Sequence, residues 1–125
     1  MKLSKIINPK FKDLLRKLAT SEVPVKTAVK LKTISQAVEK ALTDYETVRV
    51  AIINKHAELN ESGEPKADEN NNAIFSSPES KIEFGQELSD VLNLDIDLDV
   101  ISIDDLGDVV LLSAFDLVIL EDILQ

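Results

Sequence analysis

Cysteine is absent from the 125 residues, which excludes disulfides, thiol nucleophiles and cysteine-ligated metals. Tryptophan is absent too, and aromatic residues make up only 4% of the chain, so platforms for stacking single-stranded bases are scarce. His56 is the one histidine, and no second imidazole or thiolate exists to complete an ordinary zinc site with it. It reads as a surface or helix-end residue. Three scattered glycines, Gly63, Gly85 and Gly107, cannot form a phosphate-cradling loop, and no serine lies in a nucleophile-elbow pattern. No apolar run approaches the ~18 residues of a membrane span. The opening stretch Met1–Asn8 does not read as a signal peptide. Acid pairs for hydrolysis cannot be singled out among 23 candidates. Together these absences argue against an enzyme, and no cofactor or metal is expected.

What is present is a single domain's length of chain, 44% hydrophobic, with an uneven charge. The net charge of −9 conceals opposite halves: residues 1–56 carry 12 Lys/Arg against 5 Asp/Glu, and residues 57–125 carry 2 against 18. Residues 93–125 hold nine acids and no base. Three readings follow: the halves neutralise each other, the acidic end docks a basic surface on another subunit, or the basic segment meets nucleic acid. The net charge disfavours the last.

Asn8-Pro9 predicts a helix start, because Asn caps well and Pro suits the first helical turn. Phe11, Leu14, Leu15 and Leu18 then recur at helical spacing, to an end near Ala19-Thr20. Ser21-Glu22-Val23-Pro24 is a second start. From Val25 to Leu59, the residues Leu31, Ile34, Val38, Ala41, Tyr45, Val48, Ile52 and Leu59 form a three-four seam with no Gly or Pro in it. A helix of about 35 residues measures about 52 Å. A compact chain of this size has a radius of gyration of about 14 Å. The expectation is therefore an elongated molecule with a helical hairpin, or an oligomer.

Residues 60–72 are polar and turn-rich, and read either as a flexible loop or as a hairpin pairing Glu64–Ala67 with Ala73–Phe75. Ser77-Pro78 starts a helix that is expected to return antiparallel to the long one. Leu94 to Ile103 alternates Leu94, Ile96, Leu98 and Val100 with Asp95, Asp97 and Asp99, which predicts a strand with one buried and one acidic face, broken at Val100-Ile101. Asp95, Asp97 and Asp99 also match the start of a calcium loop. The Gly and Glu that such a loop needs at its sixth and twelfth positions are Val100 and Leu106 here, so the match fails. A short strand is expected over Val109–Leu112. A last helix follows Ser113, apolar on nearly all sides through Phe115, Leu117, Val118, Ile119, Leu120, Ile123 and Leu124.

The fold class read from these patterns is α+β, mostly α: a long helix with an antiparallel return helix, a small strand region and a C-terminal helix in one elongated domain. Residues 1–59 are its basic helical half, 60–76 a polar turn or small hairpin, and 77–125 an acidic helix-strand-helix half. The layout runs in order through the helix start Pro24-Val25-Lys26-Thr27-Ala28-Val29-Lys30-Leu31, the turn Asn60-Glu61-Ser62-Gly63-Glu64-Pro65-Lys66, a Phe/Pro-started helix, an acidic alternating strand, and a short final helix after Leu112-Ser113-Ala114-Phe115-Asp116. Over residues 20–125 it resembles a family of small uncharacterised proteins encoded in the structural gene clusters of tailed bacteriophages and prophages.

The resemblance implies a non-enzymatic virion or virion-associated protein that binds other phage structural proteins or itself, in the particle or the cytoplasm of the infected host. The alternatives are a phage-encoded inhibitor or adaptor acting on a host defence protein, and an assembly chaperone. No membrane partner is expected, and nucleic acid is disfavoured. The expected partner-binding residues are Asp95, Asp97 and Asp99 together with Phe115, Ile119 and Ile123.

Overall fold

Asn8 and Pro9 start a helix as their chemistry predicts. In the computed structural model, which describes residues 1–125, the Asn8 side chain accepts a hydrogen bond from the Lys10 amide at 3.0 Å, and helix α2 runs Pro9–Ala19. A short α1, Leu3–Ile6, precedes it. The others are α3 (Val25–His56), α4 (Pro78–Leu92), a 3₁₀ turn (Ile103–Leu106) and α5 (Ala114–Ile119). The chain is mostly helical, and its β pairing consists of isolated bridges. Two units divide it. Unit 1 is Met1–Leu42 with Asp95–Gln125, and unit 2 is Thr43–Leu94.

Unit 1 holds the apolar core. From α2, Phe11, Leu14, Leu15 and Leu18 are buried, and from α3, Leu31, Ile34, Val38 and Ala41 follow at the three-four spacing of one helix face. Leu3 and Ile6 of α1 join them, as do Ile101, Leu106, Leu120, Ile123 and Leu124. Each fully buried Phe, Leu or Ile contributes about 1.5–3 kcal/mol from apolar surface removed from water. Thr27, polar yet buried, is satisfied because its Oγ1 donates to the Asp105 carbonyl at 3.1 Å. Gly107 ends the 3₁₀ turn at φ 70°, ψ −170°, a conformation open in practice only to glycine.

The predicted strand Leu94–Ile103 is not a strand. Its two ends are held by different neighbours. Asp95 bridges Lys2 antiparallel, with the Ile96 amide donating to the Met1 carbonyl at 2.8 Å. Ile101 bridges Leu124 in parallel, and the amides of Ile101, Gln125 and Ile103 donate to Ile123, Ile101 and Gln125 respectively, at 2.7, 3.0 and 2.7 Å. Alternation in burial survives from Asp95 on: Ile96, Leu98 and Val100 are half-buried and the three aspartates are exposed, whereas Leu94, expected on the covered face, lies 55% exposed before the first bridge, and Ile101 breaks the period by being wholly buried. Period-two patterning reports an extended segment with one covered face, whether or not a ladder partner runs beside it.

The expected strand over Val109–Leu112 is also absent; Val109 and Leu111 are exposed there. Helix α5 stops at Ile119, well short of the predicted stretch. Leu120–Ile123 form a turn, and the last residues pair with Ile101 and Ile103 instead of continuing the helix.

Unit 2 begins within α3, whose seam thins here. Ile52 is buried, Tyr45 half-buried and Val48 exposed. The helix ends at His56, three residues before the expected Leu59. The Ala57 amide still donates to Ile53, but the Glu58 amide turns to the Ile74 carbonyl at 2.8 Å. The polar segment is the hairpin, not the loop: Ala67 pairs with Ala73, and the Asp68 amide donates to Asn72 at 2.9 Å. Asp68 Oδ1 accepts from the Asn70 and Asn72 amides, and Asn71 takes φ 62° between them, a conformation asparagine tolerates.

A third extended segment closes on this hairpin. Glu58 donates to Ile74, Ile74 to Lys66, and Lys66 back to Glu58, at 2.8, 3.0 and 2.8 Å, a ring of three backbone bonds. Ser77 then caps α4 by accepting from the Ser80 amide at 3.1 Å. Phe75 and Phe84 pack with ring centroids 5.0 Å apart and planes tilted by 47°.

Candidate protein-binding surface

Helix α5 is short because its C-terminal neighbours are drawn into the core, so its start has to be well secured. Ser113 and Asp116 form a reciprocal capping box: Ser113 Oγ accepts from the Asp116 amide at 3.1 Å, and Asp116 Oδ2 accepts from the Ser113 amide at 3.0 Å. The Ser113 N–H is the main reason that the Asp116 carboxyl is held below its ordinary range, with smaller help from the Ser113 side chain and the charges of Lys17 and Lys10. Lys17 Nζ also donates to the Leu111 carbonyl at 2.6 Å, which fixes the approach to the helix against α2.

This framework presents apolar side chains to solvent. Leu111 and Phe115 are 77% exposed, Val109 68% and Val118 62%. Phe115 and Val118 are three residues apart, on one face of α5. Single exposed apolar residues need no explanation; four large ones within ten residues, two on α5 and two on the segment leading into it, are the candidate patch. The segment that carries them, residues 93–125, has nine acids and no base of its own, while Lys17 and Lys10 of α2 stand near the α5 start.

The six residues expected from sequence divide. Asp95, Asp97 and Asp99 are exposed and form no ion pair. Phe115 is exposed and Ile119 half-buried. Ile123 is corrected: it is 0% exposed and belongs to the unit 1 core, so it cannot touch a partner while the chain is folded. Sequence reasoning missed Leu111 and Val109 because they were assigned to a strand. The available signal was that the stretch has no alternation and follows Gly107-Asp108. Nowhere do three or more His, Asp or Glu side chains come together as a ligand set for a metal ion.

His56 is corrected as well. It is helix-terminal, as expected, but only 5% exposed. Nε2 lies 3.2 Å from Glu87 Oε1, out of line for a hydrogen bond, and Nδ1 lies 3.7 Å from Glu83 Oε2. Lys55 pairs with the same Glu87 at 2.7 Å and is the chief cause, ahead of His56, of that carboxyl's lowered pKa. No helix is long and apolar enough to cross a membrane. Comparison with protein-family models, with curated proteins and with solved structures finds no match for this chain.

Proposed function

We propose that the chain is a non-enzymatic protein-binding component that buries the α5 face against another protein. The observation that carries this reading is the solvent-exposed patch of Val109, Leu111, Phe115 and Val118 on a firmly capped support. Apolar area removed from water drives such an association, and aromatic residues at a patch centre contribute most of it. In this reading the exposed acids Asp95, Asp97 and Asp99 supply orientation and on-rate, and favour a partner whose rim is basic.

The chain layout resembles that of proteins encoded in tailed-phage structural gene clusters, so the proposed setting is a phage particle and the proposed partner another virion protein. In the same reading α4 returns antiparallel to the second part of α3, an arrangement supported by the Lys55–Glu87 ion pair.

The test substitutes the patch and leaves the core alone. Truncation before Ser113 is unsuitable, since it removes buried Leu120, Ile123 and Leu124. Phe115→Asp with Val118→Asp keeps the core, so the far-ultraviolet circular dichroism should be unchanged. Purified particles are then compared by mass spectrometry for copy number of the wild-type and doubly substituted chains. Wild-type presence with loss of the variant is the expected result. Equal incorporation refutes the patch as the contact. A wild-type chain found in infected cells and never in particles refutes the virion role and favours a chaperone or an inhibitor.

A further inference from the structure

Charge in unit 2 is strongly segregated. Between Thr43 and Leu94 the chain carries eleven acids and only four bases, Arg49, Lys55, Lys66 and Lys81. Three of those four, Arg49, Lys66 and Lys81, line one cleft of about 920 Å³, whereas only Glu64 and Asp68 of the eleven acids do. Asp68 directs a carboxylate oxygen at its own turn, where two backbone amides hold it at 2.9 Å. Arg49 is braced by Glu46 at 2.6 and 3.0 Å, Lys66 stands 3.8 Å from Glu58, and Lys81 has no ion pair at all. In an acidic unit such a cleft is a local attractor for an anion.

The rest of the lining narrows the ligand. Phe75 and Phe84, packed against each other, both contribute to the wall, and Asn54 adds an amide able to donate and accept. An aromatic wall suits a flat ring, and lysine and arginine together suit a phosphate. The volume lies in the range of small-molecule sites, roughly 300–1,000 Å³. A polyanionic strand is opposed by the net charge of −9, which a single small phosphate meets far less.

We propose that the unit 2 cleft lined by Arg49, Lys66, Lys81, Phe75 and Phe84 binds a free aromatic phosphate of mononucleotide size. The ring lies on the phenylalanine wall and the phosphate on the three cations. The backbone ring through Glu58, Lys66 and Ile74 holds Lys66 in place without drawing on a large core. This inference does not rest on the α5 patch, which is in unit 1, and each is tested without the other.

The experiment follows backbone amide shifts of the full-length, isotope-labelled protein on titration with AMP. Adenosine, inorganic phosphate and a short single-stranded oligonucleotide are run in parallel. Saturable shifts at Lys66, Asn72, Phe75 and Phe84 are expected with AMP. Adenosine and phosphate alone should each bind at least about tenfold more weakly, since each supplies one half of the contact. Lys81→Glu, a change at an exposed side chain, should weaken AMP about tenfold or more with an unaltered spectrum elsewhere. The proposal is overturned by unsaturable or absent AMP shifts, by adenosine binding as tightly as AMP, or by undiminished AMP binding in Lys81→Glu. Tighter binding of the oligonucleotide than of AMP overturns it too, since the ligand would then be a strand.

Discussion

The two units are stabilised by different means. Of the seventeen buried apolar residues, fifteen belong to unit 1, and only Ile52 and Ala57 belong to unit 2. Unit 1 brings together residues from both ends of the chain, as in the packing of Ile6 and Phe11 into the same core as Ile101 and Ile123. Unit 2 relies on local devices: a backbone ring, two Asx-type turns, an aromatic pair and ion pairs at the end of α3. Non-local apolar burial resists opening strongly. Exposed hydrogen bonds and surface ion pairs do so weakly, since water competes for each group. Unit 1 is thus the stable scaffold, and unit 2 is the softer region.

The largest effect expected is in the scaffold. Phe11→Ala should cost about 3–5 kcal/mol by leaving a cavity where a wholly buried ring was, read as a lowered denaturant midpoint. A sharper comparison makes one substitution twice on α3. Ile34→Ala in unit 1 should cost about 3 kcal/mol and Ile52→Ala in unit 2 about 2, because the thinner surroundings of Ile52 relax more readily. Equal losses at the two sites would remove the distinction between the units.

Ser113→Ala should cost about 1 kcal/mol by deleting half of the capping box, seen as faster hydrogen exchange at the Asp116 amide. The smallest effect expected is of pH. The folded-state pKa of Glu87 is depressed, chiefly by Lys55 and then by His56, so its contribution is present above the ordinary glutamate range and is lost as pH falls through the depressed value. The stability difference between wild type and Glu87→Gln should therefore shrink on acidification, measured by thermal melts at neutral and acid pH.

Legibility from sequence followed the range of the interactions. Helix α2 and its Asn8 cap, the Ser77 cap of α4 and the Ser113–Asp116 start of α5 were readable, since each is settled within four residues. The buried face of α3 up to Ala41 was readable from spacing. Helix α1 was not, being a single turn too short to display a period. The alternation over residues 95–100 was read correctly as one covered face and incorrectly as a strand, and Leu94, expected on that face, is exposed. Of the expected contact residues, Phe115 and the three aspartates are exposed. Ile123 was misplaced because an apolar residue near a chain end looks the same in sequence whether it is covered or not.

Composition, local propensity and periodicity by themselves determined the helical character, the caps, the apolar faces and the split of charge, because each depends on residues close together along the chain. Only the tertiary structure decided which apolar residues of the last segment are buried. It alone joined Ile101–Ile103 to Ile123–Gln125, closed Glu58, Lys66 and Ile74 into a ring, and gathered three cations of unit 2 around one cleft. Those outcomes depend on contacts between residues distant in sequence, whose worth appears only once the intervening chain has folded and its ordering entropy has been met.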